Sequence, residues 1–188
     1  MNPNTTVIIV IALIVGMVIG AAVIYAIQQG RTKRLKERFG PEYGRMVAET
    51  GNRSKAEAML EHRQKRVKDL HVRPLDVAER TRFQEDWREI QGRFVDDPGG
   101  ALTEADRLLV EVMSVEGYPM QQFEQRAADI SVDHPTVIEN YREGHQIAVR
   151  HSQGHATTEE LRKAMIRYRS LFEELVGQTE WVAERTRQ

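Results

Sequence analysis

From Val7 to Ile27 the chain runs 21 residues without a charge, an amide or a proline. As a helix rising about 1.5 Å per residue, that run covers roughly 31 Å, enough to cross bilayer hydrocarbon. After Gly30 the pattern changes to apolar positions at helical spacing between charged ones. Phe83, Trp87, Ile90 and Phe94 form one stripe, and Leu161, Met165, Tyr168, Phe172 and Leu175 a second. Leu102, Ala105, Leu109, Val112 and Met113 supply a third, and Ile138, Tyr141 and Ala148 a fourth. Stripes of this period bury one face of a helix, and four of them predict a bundle with the stripes turned inward. No apolar-polar alternation of period two is bounded by turn residues, so no strand is predicted. The fold class is therefore all-α, an N-terminal transmembrane helix followed by a soluble multi-helix bundle.

Helix boundaries follow from caps and breakers. Gly40-Pro41 interrupts the juxtamembrane helix and starts a short one over 41–50, which Gly51-Asn52 ends. Ser54 with Glu57 and Asp76 with Glu79 have capping-box spacing, predicting helices to about Leu70 and Val95 with Arg73-Pro74 between them. Pro98 or Thr103 opens the next helix, which ends at Gly117, and a short one follows over 120–130. Asp133 reads as an N-cap for a helix reaching Ser152, and Thr157 with Glu160 caps a last one to Val176. The organisation that results is a tail over 1–6, a span over 7–27, a basic helical arm over 28–73, a bundle over 74–176 and a polar tail over 177–188.

Charge sharpens this division. All 27 Lys and Arg and all 28 Asp and Glu lie after residue 30. Residues 31–73 carry 13 basic and 6 acidic residues, whereas 74–188 carry 14 basic and 22 acidic. An arm of net +7 can lie on an anionic leaflet or dock on the bundle of net −8. Nucleic acid is not expected as a partner, because Glu42, Glu49, Glu57 and Glu61 interrupt the basic residues and no binding motif is present. Arg63 falls on the apolar stripe Ala56, Leu60, Val67, Leu70 and reads as a snorkelling side chain, with pairing inside the fold or display at an interface as the alternatives.

The basic cluster Arg31, Lys33, Arg34, Lys36 and Arg38 flanks the span on one side. It predicts contact with lipid headgroups, and it places the amino terminus outside and everything after Gly30 in the cytoplasm. Met1–Thr6 has no Lys or Arg, unlike the start of a cleaved signal peptide. Ala12, Gly16 and Gly20 recur every four residues, leaving a face on which a second copy of the helix could pack closely and form a homodimer.

With no cysteine, the chain has no disulfide, thiolate metal site or Cys nucleophile. Phosphate-binding glycine loops, zincin motifs, nucleophile elbows and EF-hand ladders are absent too. What remains is His134, His145, His151 and His155 within 22 residues, near Asp129, Asp133, Glu139 and Glu143. Imidazoles beside carboxylates can bind Zn or Fe, or exchange protons. The candidate polar site is thus Asp133, His134, Glu139, His145 and His151. Neither Glu139 nor Glu143 has a His three residues on, so the paired motif of a diiron bundle is missing, and no cofactor is expected.

Several segments together carry a resemblance: Arg38-Phe39-Gly40-Pro41-Glu42-Tyr43, Phe94-Val95-Asp96-Asp97-Pro98, Gly117-Tyr118-Pro119, Phe123–Asp129, Ser131–Pro135 and Glu139-Asn140-Tyr141-Arg142. With the apolar span before them, they resemble a family of uncharacterised bacterial single-pass, membrane-anchored all-helical proteins, over nearly the whole chain. The resemblance implies a bacterial inner-membrane or envelope setting and carries over no catalytic residue. The expected function is a membrane-anchored interaction or scaffold module with an unknown protein partner and no catalysis. The alternative is a metal- or histidine-dependent enzyme or sensor using residues 129–155.

Overall fold

A computed structural model describes residues 3–177, with side chains from Leu13 onward. The expectations for the polar tail after Gly177 and for the side chain of Ala12 lie outside the described residues. Among these there are eight helices and no strand. The chain divides after Arg38 into two units.

The first unit is helix α1 (Pro3–Phe39). From Leu13 it is long and apolar enough to cross a membrane, and none of its apolar window is buried. Leu13, Ile14, Met17, Val18, Ile24 and Ile27 are all exposed on it. A helix that is apolar all round needs either a core or a bilayer around it.

The second unit contains α2 (Pro41–Thr50), α3 (Arg53–Lys68), α4 (Val77–Arg93), α5 (Pro98–Glu116), α6 (Phe123–Asp133), α7 (Ile138–Ser152) and α8 (Thr158–Gly177). Helix α8 packs on α7 and α5, and α5 packs on α4. Their apolar stripes meet in one core that holds Phe83, Trp87, Leu109, Tyr141, Tyr168 and Phe172. Trp87 and Phe172 stack at 4.6 Å with an interplanar angle of 13°. Tyr141 and Tyr168 lie 6.0 Å apart and tilted. Phe94 and Ala148, at the margins of their stripes, are only partly buried. Helices α2 and α3 pack on each other and, through α3, on α6. The segment 41–68 is therefore folded against the bundle.

The capping box at Asp76 is complete: its side chain accepts from the Glu79 amide at 2.8 Å and the Glu79 carboxylate accepts from the Asp76 amide at 2.9 Å. Thr157 and Glu160 make the same reciprocal pair at the start of α8. Gly117 ends α5 with φ 100°. A Cβ there would stand 2.7 Å from the His71 carbonyl oxygen, so both the backbone angle and the close approach require glycine.

Three local expectations are corrected. Asn52, not Ser54, caps α3, accepting from the Lys55 amide at 3.0 Å, while Glu57 accepts from Tyr43 and Arg53. Asp133 is the last residue of α6 rather than a cap of α7. The His134 amide still donates to Ile130, and Pro135 then forces a turn, so α7 begins only at Ile138. Arg63 does not snorkel to solvent; it pairs with Glu42 inside the fold.

Gly144 sits where α7 crosses α8. A Cβ at this position would lie 2.6 Å from Tyr168 Cε1 and 3.5 Å from the Ala164 carbonyl oxygen. Tyr168 is fully buried and cannot swing away. Gly144→Ala is expected to destabilise the unit by about 1–3 kcal/mol, even though alanine favours helix. Thermal unfolding of the full chain in neutral detergent checks this, and a melting temperature equal to or above that of the parent would refute it.

Candidate functional site: a guanidinium-lined cleft

Helices α2, α3, α6 and α7 border a cleft of about 520 Å³. Its construction starts at Glu42, in the first turn of α2, where Pro41 takes the first helical position. The Glu42 side chain is 0% exposed and meets three guanidinium groups. Arg45 Nε donates to it at 3.2 Å, Arg63 Nη1 at 2.8 Å and Arg142 Nη2 at 2.9 Å. Burying a carboxylate alone is prohibitive, so the three charged donors are what permit the position.

Asp129 on α6, only 1% exposed, is a second inner carboxylate. Arg66 grips one of its oxygens, with Nε at 2.9 Å, and Gln125 donates to the same atom at 3.2 Å. Its other oxygen is buried without a hydrogen-bond partner. Arg142, 5% exposed on α7, also donates to Glu124 at 3.3 Å, while its Nε is buried and unpartnered. Burial lowers the proton affinity of Arg142 below the ordinary arginine value, against the pull of Glu42.

The α3 wall is one continuous face. Lys55, Ala58, Met59, His62, Arg63 and Arg66 succeed one another at helical spacing, and all six line the cleft. Lys55, Met59 and His62 are exposed. The rim carries Glu49, held by Arg45 at 2.6 Å, and Glu124.

The residues singled out from sequence lie elsewhere. Lys33, Arg34, Lys36 and Arg38 are exposed on the last turns of α1 and Arg31 is half-buried there. Lys33 makes an ion pair with Glu37 at 3.9 Å. Gly16 and Gly20 face open space.

The five residues of the alternative polar site do not converge. Asp133 accepts from the Tyr118 hydroxyl at 3.0 Å, and His134 lies 3.4 Å from Glu174. Glu139 is exposed, and His151 packs against Gly99. Among the described residues no group of three or more His, Asp or Glu could hold a metal ion.

His145 has its own surroundings. Its ring stacks on Phe123 at 3.6 Å, and its Nδ1 lies 3.9 Å from Asp106 Oδ1. Tyr168 donates to that same oxygen at 2.8 Å, and Arg126 donates to Tyr141 at 3.0 Å. Burial pushes Asp106 up, but His145 and Tyr168 outweigh it, and its pKa is net lowered. Burial and the adjacent Asp106 push the Tyr168 hydroxyl well above the ordinary tyrosine value. The Asp106–Tyr168 and Arg126–Tyr141 bonds satisfy those groups inside the core, whereas His145 Nδ1 is buried without a hydrogen-bond partner.

Sequence reasoning missed the cleft because its two carboxylates and four arginines come from four helices. The legible signal was the α3 face Lys55, Met59, His62, Arg66, a polar stripe beside the apolar one. No protein-family model, no curated protein and no solved structure matches the chain.

Proposed function

We propose that this chain is a single-span membrane protein whose helical unit works at the membrane surface by binding rather than by catalysis. The observation that carries this reading is α1, long and apolar enough to cross a bilayer, unburied, and followed by a compact helical unit. In this reading the unit works on the cytoplasmic side of a bacterial inner membrane, with a protein partner there, and the basic cluster at the end of α1 supports that orientation. The buried ionisable groups support binding over chemistry: Asp106, Arg126, Tyr141 and Tyr168 are engaged with one another inside the core.

The absence of cysteine makes the topology directly testable, since any introduced thiol is unique. Asn4→Cys is expected to react with a membrane-impermeant maleimide in intact cells, and Ser152→Cys only after lysis. The reverse pattern, or release of the protein by alkaline carbonate, overturns the anchor or its orientation. Affinity purification of the full chain from crosslinked native membranes is expected to recover a stoichiometric protein partner. Recovery of the chain alone, with turnover of a substrate by the purified protein, overturns the binding reading.

A further inference from the structure

We propose that the cleft between α2, α3, α6 and α7 binds a compact phosphate-bearing anion through Lys55, His62 and the unspent donors of Arg63, Arg66 and Arg142. Four guanidinium groups, those of Arg45, Arg63, Arg66 and Arg142, gather here around two buried carboxylates, Glu42 and Asp129. Glu49 on Arg45 and Glu124 on Arg142 bring the carboxylates to four, so Lys55 leaves the cleft one positive charge in excess, with the His62 ring beside it. Among the described residues neither Lys55 nor His62 has a carboxylate or hydrogen-bond partner for its side chain, and both line the same wall. Arg142 brings a deeply buried guanidinium with an unpartnered Nε to the same cleft.

A guanidinium used on one edge keeps N–H groups for another acceptor, and lysine adds a point charge with three donors. A phosphate monoester, at about −1.5 to −2 at neutral pH, offers three strong acceptor oxygens to these converging donors, more than a single carboxylate does. The rim decides against a long polyanion. Glu49 and Glu124, 48% and 80% exposed, flank the opening and would repel an extended phosphate backbone. A volume of about 520 Å³ accommodates a phosphate with a small organic group. Such a group is carried equally by a lipid headgroup and by a soluble phosphate compound, and the inference is independent of whether α1 crosses a bilayer.

The test uses the full chain. In neutral detergent micelles at low salt, inorganic pyrophosphate is titrated by calorimetry. Saturable binding is expected, weakened more than about tenfold in the double variant Lys55→Gln/His62→Gln. Both side chains are exposed and unpartnered, so the fold is retained, as circular dichroism checks. Ala58→Glu, an exposed position on the same wall, places a carboxylate in the cleft and is a second variant expected to abolish binding. The source is separated in phosphatidylcholine nanodiscs with and without phosphatidic acid. Slower amide exchange in α3 with phosphatidic acid, reversed by Ala58→Glu, identifies a headgroup. Slower exchange with pyrophosphate alone identifies a soluble ligand. Absence of binding to both, or equal binding by the parent and both folded variants, overturns the proposal.

Discussion

Glu42→Ala is expected to destabilise the helical unit by about 3–5 kcal/mol, the usual consequence of removing one partner from a buried ion pair. The carboxylate is wholly buried and receives Arg45, Arg63 and Arg142. Alanine leaves three guanidinium groups facing one another, and Arg142, 5% exposed, cannot move into water. The cost is mostly that of the stranded cations rather than the net worth of the pairs. Because Glu42 joins α2 to α3 and α7, amide exchange should accelerate first in α2 and α3. Chemical denaturation of the full chain in neutral detergent measures the loss. The exposed pair Arg162–Glu159 is the control, and removing it should leave the midpoint unchanged. A loss below about 1 kcal/mol for Glu42→Ala would mean that the cluster is not the tie it is taken to be.

The second large effect is a pH dependence. Glu116, buried at the end of α5, is pushed up to about 8, first by burial and then by the neighbouring Asp133, with Arg73 opposing. The Tyr118 hydroxyl donates to Asp133, and one Glu116 oxygen is buried without a partner. A carboxyl whose folded value lies above its unfolded value is protonated more in the folded state. Its contribution is therefore fully present below the ordinary value of 4.5 and is lost as pH rises to about 8. The limiting slope is about 1.4 kcal/mol per pH unit. Glu116→Gln keeps the shape and the neutral hydrogen-bonding form. Its stability should match that of the parent near pH 5 and exceed it increasingly toward pH 8, after which the difference levels off. Denaturation midpoints of both chains across that range test this. Histidine titrations are common to the two and cancel in the difference, so parallel curves would refute the shift.

Most of the second unit was legible before any coordinates. The stripes through Phe83, Trp87 and Ile90 and through Leu161, Met165, Tyr168, Phe172 and Leu175 are buried as their spacing requires. Asp76–Glu79 and Thr157–Glu160 close as capping boxes because both partners lie within one helical turn. The failures have local causes. At the start of α3 two competent caps stand two residues apart, and Asn52 prevails while Glu57 is drawn to Tyr43 and Arg53. At Asp133 a good cap residue was outvoted by burial: Ile130 and Val132 extend α6 into the core and carry Asp133 to its end.

The candidate site was hardly legible at all. Arg63 looked anomalous on its stripe, but the carboxylate that explains it is 21 residues away, and the arginine that shares this carboxylate is 100 residues from it. Arg66 and Asp129 are 63 apart. The histidine cluster was misleading for the opposite reason. Nearness in sequence placed His134, His145 and His151 together, whereas the turn at Pro135 and the helical rotation of α7 send them to Glu174, Asp106 and Gly99.

The sequence by itself determined the unburied apolar helix, the all-helical class, the inward faces of α4, α5 and α8, and the caps at Asp76 and Thr157. Each of these depends on interactions within a few residues or on one helical period, so the information is contiguous. Only the tertiary structure decided which charges neutralise one another, why position 144 must be glycine, and where four arginines gather around two carboxylates. Those outcomes depend on which helices become neighbours, and one helical period carries no record of the partner it will meet.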